Sequence, residues 1–319
     1  MPSVFLGFSS IAVLVVSHML NPLSFLYRQY RRRFLYPLLS GFLALSFVVG
    51  TAQVTQASLF DLLFPAIQFV QLSNISDRQE VQIGRQINQQ LVRKDIEVYR
   101  DPEITAYVTE IGQRMAQQSK RPSIPYTFQV VKDKNINAFA TMGGFVYLNT
   151  GLIAAADNEA QLASVLGHEI AHIAARHSIQ QMRQQAIAQG LTAAAGLDRN
   201  TMVNIGTKVA LQLPNSRKDE FQADQLGLAS MKSAGYAPSA MLAFMDKLLK
   251  TGGSVPTFLS NHPATSDRIK ALEQAIDPAT ADVGEGLDTN AYKDKIRTLL
   301  SESPTRRPLN RRLRRDEGL

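Results

Sequence analysis

Two histidines four residues apart enclose a glutamate in segment 159–189, in the pattern His168-Glu169-x-x-His172. An α-helix turns about 100° per residue, so residues i and i+4 lie one above the other on the same face. The surrounding residues are mainly Ala, Val, Leu and Ile. Burying His and Glu among them is costly unless they share a partner such as a metal ion. The pattern therefore predicts a buried helix that presents two imidazoles and a carboxylate together.

This spacing suits a zinc site. Two imidazole nitrogens on one helix face can take adjacent corners of a zinc tetrahedron, and Glu169 beside them can act as a general base without binding the metal. The chain contains no cysteine, which excludes a thiolate zinc site, an iron–sulfur cluster, a disulfide framework and a cysteine nucleophile. Any metal must be held by His and carboxylate, and we expect one Zn²⁺ per chain.

A catalytic zinc site needs a third protein ligand. Glu220 and Asp224 share a face of a second predicted helix, where Glu220 can bind the metal while Asp224 accepts the other ring N–H of a ligand histidine. From spacing alone, an exposed acidic helix face is an equally good interpretation. His177 follows His172 by five residues in the same predicted helix. Its ring should therefore turn away from the ligand face, as a structural or surface residue.

Hydrophobic periodicity and capping residues predict a mainly helical α+β chain with a small antiparallel or mixed sheet next to the histidine helix. The predicted helices are 74–94, 102–118, 159–189, 216–234, 238–250 and 266–276, and the predicted strands are 126–131, 136–141 and 145–149. The last two strands form a hairpin around Gly143 and Gly144. We expect the third strand to pair through a free edge with an extended substrate, although core packing produces the same alternation. The residues expected to bind substrate there are Gly144, Phe145, Val146 and Tyr147.

The net charge of +7 is concentrated at the two ends of the chain. Residues 1–33 carry four Arg and no acid, and residues 304–319 carry six Arg against two acids, which leaves a net charge of −1 for residues 34–303. The body of the chain therefore lacks the basic surface that a nucleic-acid-binding protein needs, and we expect no nucleic-acid partner.

The N-terminal segment has the features of a targeting signal. A basic run at 28–33 precedes the uncharged residues 34–60, which is the order of a signal peptide. Cleavage is expected after Ala57, with the Gly50-Thr-Ala52 segment as the second candidate. A retained membrane anchor is the alternative, because the apolar part is close to the minimum length for a membrane span. We expect export to the periplasm or an equivalent compartment, with membrane association through the N-terminus as the alternative location.

Four blocks of the sequence resemble a known family. The blocks are 137–151, the HExxH helix, 216–227, and Asn261-His262-Pro263 followed by Arg268. Over residues 75–276 the chain resembles the gluzincin metallopeptidases that include the HtpX-like and CAAX-protease-like enzymes, most closely the periplasmic type that assists β-barrel quality control.

The resemblance implies a zincin-like metallopeptidase domain in which Glu220 is the third zinc ligand and Asp224 is its supporting acid. His262 matches a histidine near the metal. It either steadies the developing oxyanion or occupies the open zinc position and keeps the enzyme latent. A loop histidine before a turn-forming proline is the structural alternative.

The expected domains are a targeting segment (1–57), a linker (58–74), the metallopeptidase domain (75–280), a C-terminal extension (281–303) and a basic tail (304–319). The resembling periplasmic proteins often carry a helical-repeat module after the peptidase domain, and we expect none in this sequence. The implied function is zinc-dependent endoproteolysis of unfolded or misassembled envelope proteins. One alternative is a latent or inactive chaperone-like binder of such proteins that retains the zinc site. Another is a membrane-tethered scaffold whose metal is structural.

Overall fold

The computed structural model describes residues 75–190, 199–250, 256–263 and 266–302. The expectations for the targeting segment, the linker and the basic tail therefore fall outside the described residues. Within the described part of the chain, no helix combines the length and apolar character needed to cross a membrane.

The described residues form a mainly helical fold with one small sheet, as the sequence predicts. The helices are α1 (Asp77–Gln90), α2 (Pro102–Gln117), α3 (Thr150–Ala155), α4 (Glu159–Ala174), α5 (His177–Ala188), α6 (Arg199–Gln212), α7 (Arg217–Ser233), α8 (Ser239–Lys250), α9 (Thr257–Asn261), α10 (Ser266–Ala275), α11 (Thr289–Lys295) and α12 (Arg297–Glu302). A short π-helical stretch, Leu91–Asp95, follows α1.

Several helices begin at the capping residues that the sequence offers. Ser76 and Gln79 form a reciprocal capping box at the start of α1. The Asp101 carboxylate accepts two backbone N–H groups at the start of α2, where proline occupies the first helical position. Asn158 caps α4 by accepting the backbone N–H of Gln161. These side chains satisfy N–H groups that have no partner within the helix.

The sheet has the strand order β1–β3–β2, with β1 at Thr127–Val131, β2 at Ala138–Thr141 and β3 at Phe145–Asn149. Strands β2 and β3 form the predicted antiparallel hairpin, whose turn is made by Gly143 and Gly144 at φ 78° and 99°. Glycine adopts these left-handed conformations without a steric penalty.

The prediction that β3 has a free edge is wrong. Strand β1 pairs with β3 in parallel while β2 pairs with it on the other side, so β3 is the central strand. All of its residues are buried. Phe145, Val146 and Tyr147 therefore cannot offer an open backbone edge to a substrate, and Gly144 belongs to the turn.

The prediction of one continuous helix over 159–189 is also wrong. Helix α4 ends at Ala174, Arg176 adopts a left-handed conformation with φ 60°, and α5 begins at His177. The Arg176 guanidinium binds the backbone oxygen of Ile75 and forms ion pairs with Asp77 and Glu80. These contacts with the start of α1 stabilise the helix break at Arg176. The Ala-rich sequence around it does not predict this break.

The histidine helix α4 lies at the centre of the core. Fourteen of its residues are buried, from Ala160 to Ile173. It packs against α2, α7, α8 and strand β2. Its closest approach to α7 is at Gly167 and Gly227, where a Cβ on Gly227 would lie 3.1 Å from backbone atoms of α4. Because both contact residues are glycines, the two helix backbones can come close together.

Candidate metal centre

The three motif residues on α4 converge as their spacing predicts. His168, Glu169 and His172 are 3%, 1% and 4% exposed. The Nε2 atoms of the two histidines lie 3.0 Å apart. Two imidazoles thus present their Nε2 atoms to the same point in a site that is closed to solvent.

Glu220 reaches this point from α7. Its Oε2 lies 3.4 Å from His168 Nε2 and its Oε1 lies 3.4 Å from His172 Nε2. The side chain is fully buried, so the exposed acidic face that spacing left open does not exist at this position. The close packing of α4 and α7 brings the carboxylate within reach of both histidines.

His262 completes the cluster from the end of α9. Its Nδ1 lies 3.2 Å from His168 Nε2 and 3.1 Å from Glu220 Oε1. Its Nε2 lies 3.3 Å from Glu169 Oε1. His262 is 3% exposed, so it is not an exposed loop histidine: it contacts both the candidate ligands and the candidate base.

The donor set fits a zinc ion. One ligand atom from each of His168, His172, Glu220 and His262 lies within 4.8 Å of the others. With metal–ligand bonds of 2.0–2.1 Å, the corners of a zinc tetrahedron are roughly 3.3 Å apart. The donor–donor distances quoted above, 3.0 to 3.4 Å, are close to that value.

Asp224 and Arg268 contact two residues of the cluster, His168 and Glu220. Asp224 Oδ1 lies 3.1 Å from His168 Nδ1. The Arg268 guanidinium donates to both Asp224 oxygens at 2.6 and 2.7 Å, and its Nη1 lies 2.7 Å from Glu220 Oε2. Although burial opposes its charge, these contacts with Arg268 and His168 keep the pKa of Asp224 below its usual range. The carboxylate is therefore ionised and can accept the His168 ring N–H.

Burial sets the protonation of two other site residues. It lowers the pKa of His172 to about 3, so the ring is a neutral imidazole that can bind a metal. It raises the pKa of Glu169 above the ordinary value. A carboxylate with a raised pKa accepts protons more readily than an exposed one.

Sequence reasoning missed the contacts of Arg268 and His177. Arg268 lies 44 residues from Asp224, and only its place in the fourth family-like block marked it. His177 is fully buried, and its Nδ1 lies 2.8 Å from His172 Nδ1. It is not part of the metal-ligand cluster. The rotation estimated for a continuous helix does not apply to it, because the helix breaks at Arg176.

A buried HExxH helix whose histidines meet a glutamate from a following helix is the arrangement of a gluzincin metallopeptidase. The chain belongs to peptidase family M48, whose family model matches residues 102–276, more than half of its length.

Named relatives share this part of the sequence. The β-barrel assembly-enhancing protease of Escherichia coli K12 is 31% identical over 214 residues, which cover 62% of this chain and 44% of that protein. The mitochondrial metalloendopeptidase OMA1 of Arabidopsis thaliana is 35% identical over 164 residues, which cover 50% of this chain and 33% of that protein. The matched region thus spans less than half the length of each relative.

Proposed function

We propose that this chain is a zinc-dependent endopeptidase that acts on unfolded or misassembled envelope proteins. The observation that carries the proposal is the convergence of His168, His172 and Glu220 with Glu169 beside them, in a member of family M48. Three protein ligands and an adjacent carboxylate are the set that metal-assisted peptide hydrolysis requires.

Each residue has a distinct part in the reaction. His168, His172 and Glu220 would hold the zinc ion. When bound, zinc acidifies a water molecule and polarises the scissile carbonyl group. Glu169 would accept a proton from the attacking water and pass it to the leaving amine. Asp224, itself fixed by Arg268, orients His168 through its Nδ1.

Two features support unfolded chains as the substrate class. Strand β2 is an outer strand next to α4, and no other described strand pairs with its outer side. An extended backbone of any sequence can add to such an edge. Apolar side chains, among them Met241, Phe244 and Leu248, line a small cavity beside His168, which would have to widen to take an apolar side chain of an unfolded protein.

The envelope assignment rests on the relatives. The printed name of the Escherichia coli relative refers to β-barrel assembly, and the name of the Arabidopsis relative refers to the mitochondrion. Together with the signal-like segment of this chain, these names support an extracytoplasmic location in which the N-terminus is either cleaved or retained as an anchor.

The position of His262 favours a latent form of the peptidase. Its Nδ1 takes the fourth corner of the donor set, and its Nε2 lies beside the base Glu169. A catalytic zinc site needs that corner for water and substrate. We therefore propose that His262 keeps the enzyme latent and must leave the cluster before cleavage.

The test is cleavage of an unfolded model protein by the full-length chain with zinc, compared with Glu169→Gln, His262→Ala and Glu159→Gln. Glu159 is a carboxylate on the same helix whose oxygens accept tyrosine hydroxyls, so it serves as the matched control. We expect chelator-sensitive cleavage that falls at least about 100-fold in Glu169→Gln with zinc content retained. Cleavage should rise in His262→Ala and persist in Glu159→Gln.

Two outcomes contradict the proposal. Unchanged cleavage in Glu169→Gln would exclude the mechanism. One bound zinc per chain with no cleavage in either the native chain or His262→Ala would favour the chaperone-like binder or a structural metal.

A further inference from the structure

We propose that His177 is a positioning residue for the metal site: it accepts the Nδ1–H of His172 and thereby holds the Nε2 of His172 toward the metal. The inference rests on the proposed function only in assuming that the cluster binds zinc. It assigns a role to a buried histidine outside the ligand set.

The short contact between the two rings is the first observation. His172 Nδ1 and His177 Nδ1 lie 2.8 Å apart, so one atom donates a hydrogen and the other accepts it. His172 Nε2 faces His168 and Glu220 and must be free of hydrogen to bind a metal. A neutral His172 then carries its hydrogen on Nδ1, and His177 is the acceptor.

The other side of His177 agrees with this assignment. A neutral His177 that accepts at Nδ1 carries its hydrogen on Nε2. That nitrogen lies 3.1 Å from Gln222 Oε1, an acceptor, and 3.6 Å from an oxygen of Asp219. A single arrangement of hydrogens therefore gives each ring nitrogen of His172 and His177 a suitable partner. These contacts lead from the candidate metal site through His172 and His177 to Gln222.

The contacts join the two helices that carry the ligands. His177 begins α5 directly after the break that follows α4, whereas Gln222 and Asp219 lie on α7 within two residues of Glu220. His177 is fully buried, so no solvent competes for its nitrogens. The side chain therefore fixes the orientation of His172 relative to the helix that supplies the carboxylate ligand.

The two histidine ligands thus have different supports. His168 Nδ1 meets the Asp224 carboxylate, which Arg268 holds in turn. His172 Nδ1 meets the imidazole of His177. Loss of such a supporting partner weakens metal binding by about 10- to 100-fold in proteins where the ligands themselves are kept.

The experiment measures zinc affinity by chelator competition in the full-length chain carrying Glu169→Gln, so that no cleavage interferes. Three variants are compared in this background: His177→Leu, His177→Asn and Gln181→Leu. Asparagine places an acceptor oxygen close to the position of the histidine Nδ1. Gln181 is the matched control, because it is a buried polar residue one turn further along α5 whose amide donates to Asn215 and contacts no metal ligand.

We expect His177→Leu to weaken zinc binding by about 10- to 100-fold. His177→Asn and Gln181→Leu should stay within about threefold of the parent, a spread well below that loss. A folded His177→Leu chain that binds zinc as tightly as the parent would overturn the proposal, as would a loss in His177→Asn equal to that in His177→Leu. A parent that binds zinc, together with no cleavage by either the native chain or His262→Ala, would refute the proposed function and leave this inference standing.

A second measurement needs no substitution at His177. Nitrogen NMR of the imidazole rings in the zinc-loaded chain reports which ring nitrogen carries hydrogen. We expect hydrogen on Nδ1 of His172 and on Nε2 of His177. Hydrogen on Nδ1 of His177 would overturn the proposal even if His177→Leu failed to fold.

Discussion

At the scale of single residues, Arg268 links two carboxylates of the site to the segment that carries His262. It is 2% exposed and lies between the carboxylates of Glu220 and Asp224, with further contacts to the backbone oxygens of His262 and Pro263. Two buried carboxylates without this cation would lose their paired charge, which costs several kcal/mol. One arginine therefore stabilises the candidate ligand Glu220, the acid Asp224 and the segment that carries His262.

Replacing Arg268 with an apolar residue tests how much it contributes to the free energy of unfolding. We expect Arg268→Met to lower the free energy of unfolding of the metal-free chain by about 3–5 kcal/mol, because it leaves buried charges unpaired. Arg297→Met is the control, since its ion pair with Asp294 is exposed and contributes less than about 1 kcal/mol. Urea unfolding of both variants checks this. Equal losses would contradict the role given to Arg268.

The sequence identifies site residues where a local rule connects them. The shared face of His168 and His172, and that of Glu220 and Asp224, follow from the i, i+4 spacing of a helix. Their roles as ligands and supporting acid stay predictions. The contacts of Arg268 and His177 follow from no such rule, because one spans 44 residues and the other crosses a helix break.

At the scale of elements, the approach of α4 and α7 sets the geometry of the centre. Gly167 and Gly227 face each other one residue before His168 and seven residues after Glu220. A Cβ on Gly227 would lie 3.1 Å from the backbone nitrogen of His168. A Cβ at this position requires the facing backbone to shift by a few tenths of an ångström, and a larger side chain would push α7, which carries Glu220, away from α4.

Gly227→Val tests this close approach. Valine has a better helix propensity than glycine, so propensity alone predicts a gain in stability. We expect instead a loss of about 1–3 kcal/mol from overpacking, together with weaker zinc binding. Ala229→Val, on the exposed face of the same helix, should keep its zinc affinity. Thermal unfolding and zinc competition measure both effects, and a stabilised Gly227→Val chain would contradict the argument.

The elements themselves are largely predictable, while their partners are not. Ser76, Asp101 and Asn158 mark helix starts, and two glycines mark the hairpin, through local hydrogen bonding and backbone freedom. The parallel pairing of β1 with β3 and the break at Arg176 depend on residues far apart in sequence. Local sequence patterns do not predict such contacts. For this reason the predictions of a free β3 edge and of one continuous helix over 159–189 are wrong.

At the scale of the whole molecule, the start of α4 is held by two tyrosines that lie far apart in the described chain. Tyr107 and Tyr236 donate hydrogen bonds to the two oxygens of Glu159, the first residue of α4. Tyr292, from the segment after residue 276, is buried in the same core and donates to the backbone oxygen of Ile153. The position of α4 is thus tied to the integrity of the entire core.

These tyrosines make the stability of the molecule sensitive to alkaline pH. Burial, together with the contact with Glu159, raises the pKa of Tyr107 and Tyr236 above the ordinary value. In the unfolded chain the same hydroxyls lose their hydrogens near pH 10. Above about pH 10 the unfolded state therefore binds fewer protons than the folded state, and the free energy of unfolding falls as pH rises. Each tyrosine contributes a slope of about 1.4 kcal/mol per pH unit.

Tyr236→Phe isolates one of these contributions. Phenylalanine keeps the ring that lies 4.4 Å from the Arg114 guanidinium and removes only the hydroxyl. We expect the variant to be less stable at about pH 9, because a Glu159 oxygen loses its donor. Its free energy of unfolding should then fall less steeply up to about pH 11, by about 1.4 kcal/mol per pH unit. Urea unfolding of the metal-free native and variant chains across this pH range measures the difference. Parallel curves of the free energy of unfolding against pH would show that the Tyr236 hydroxyl ionises as readily in the folded chain as in the unfolded one.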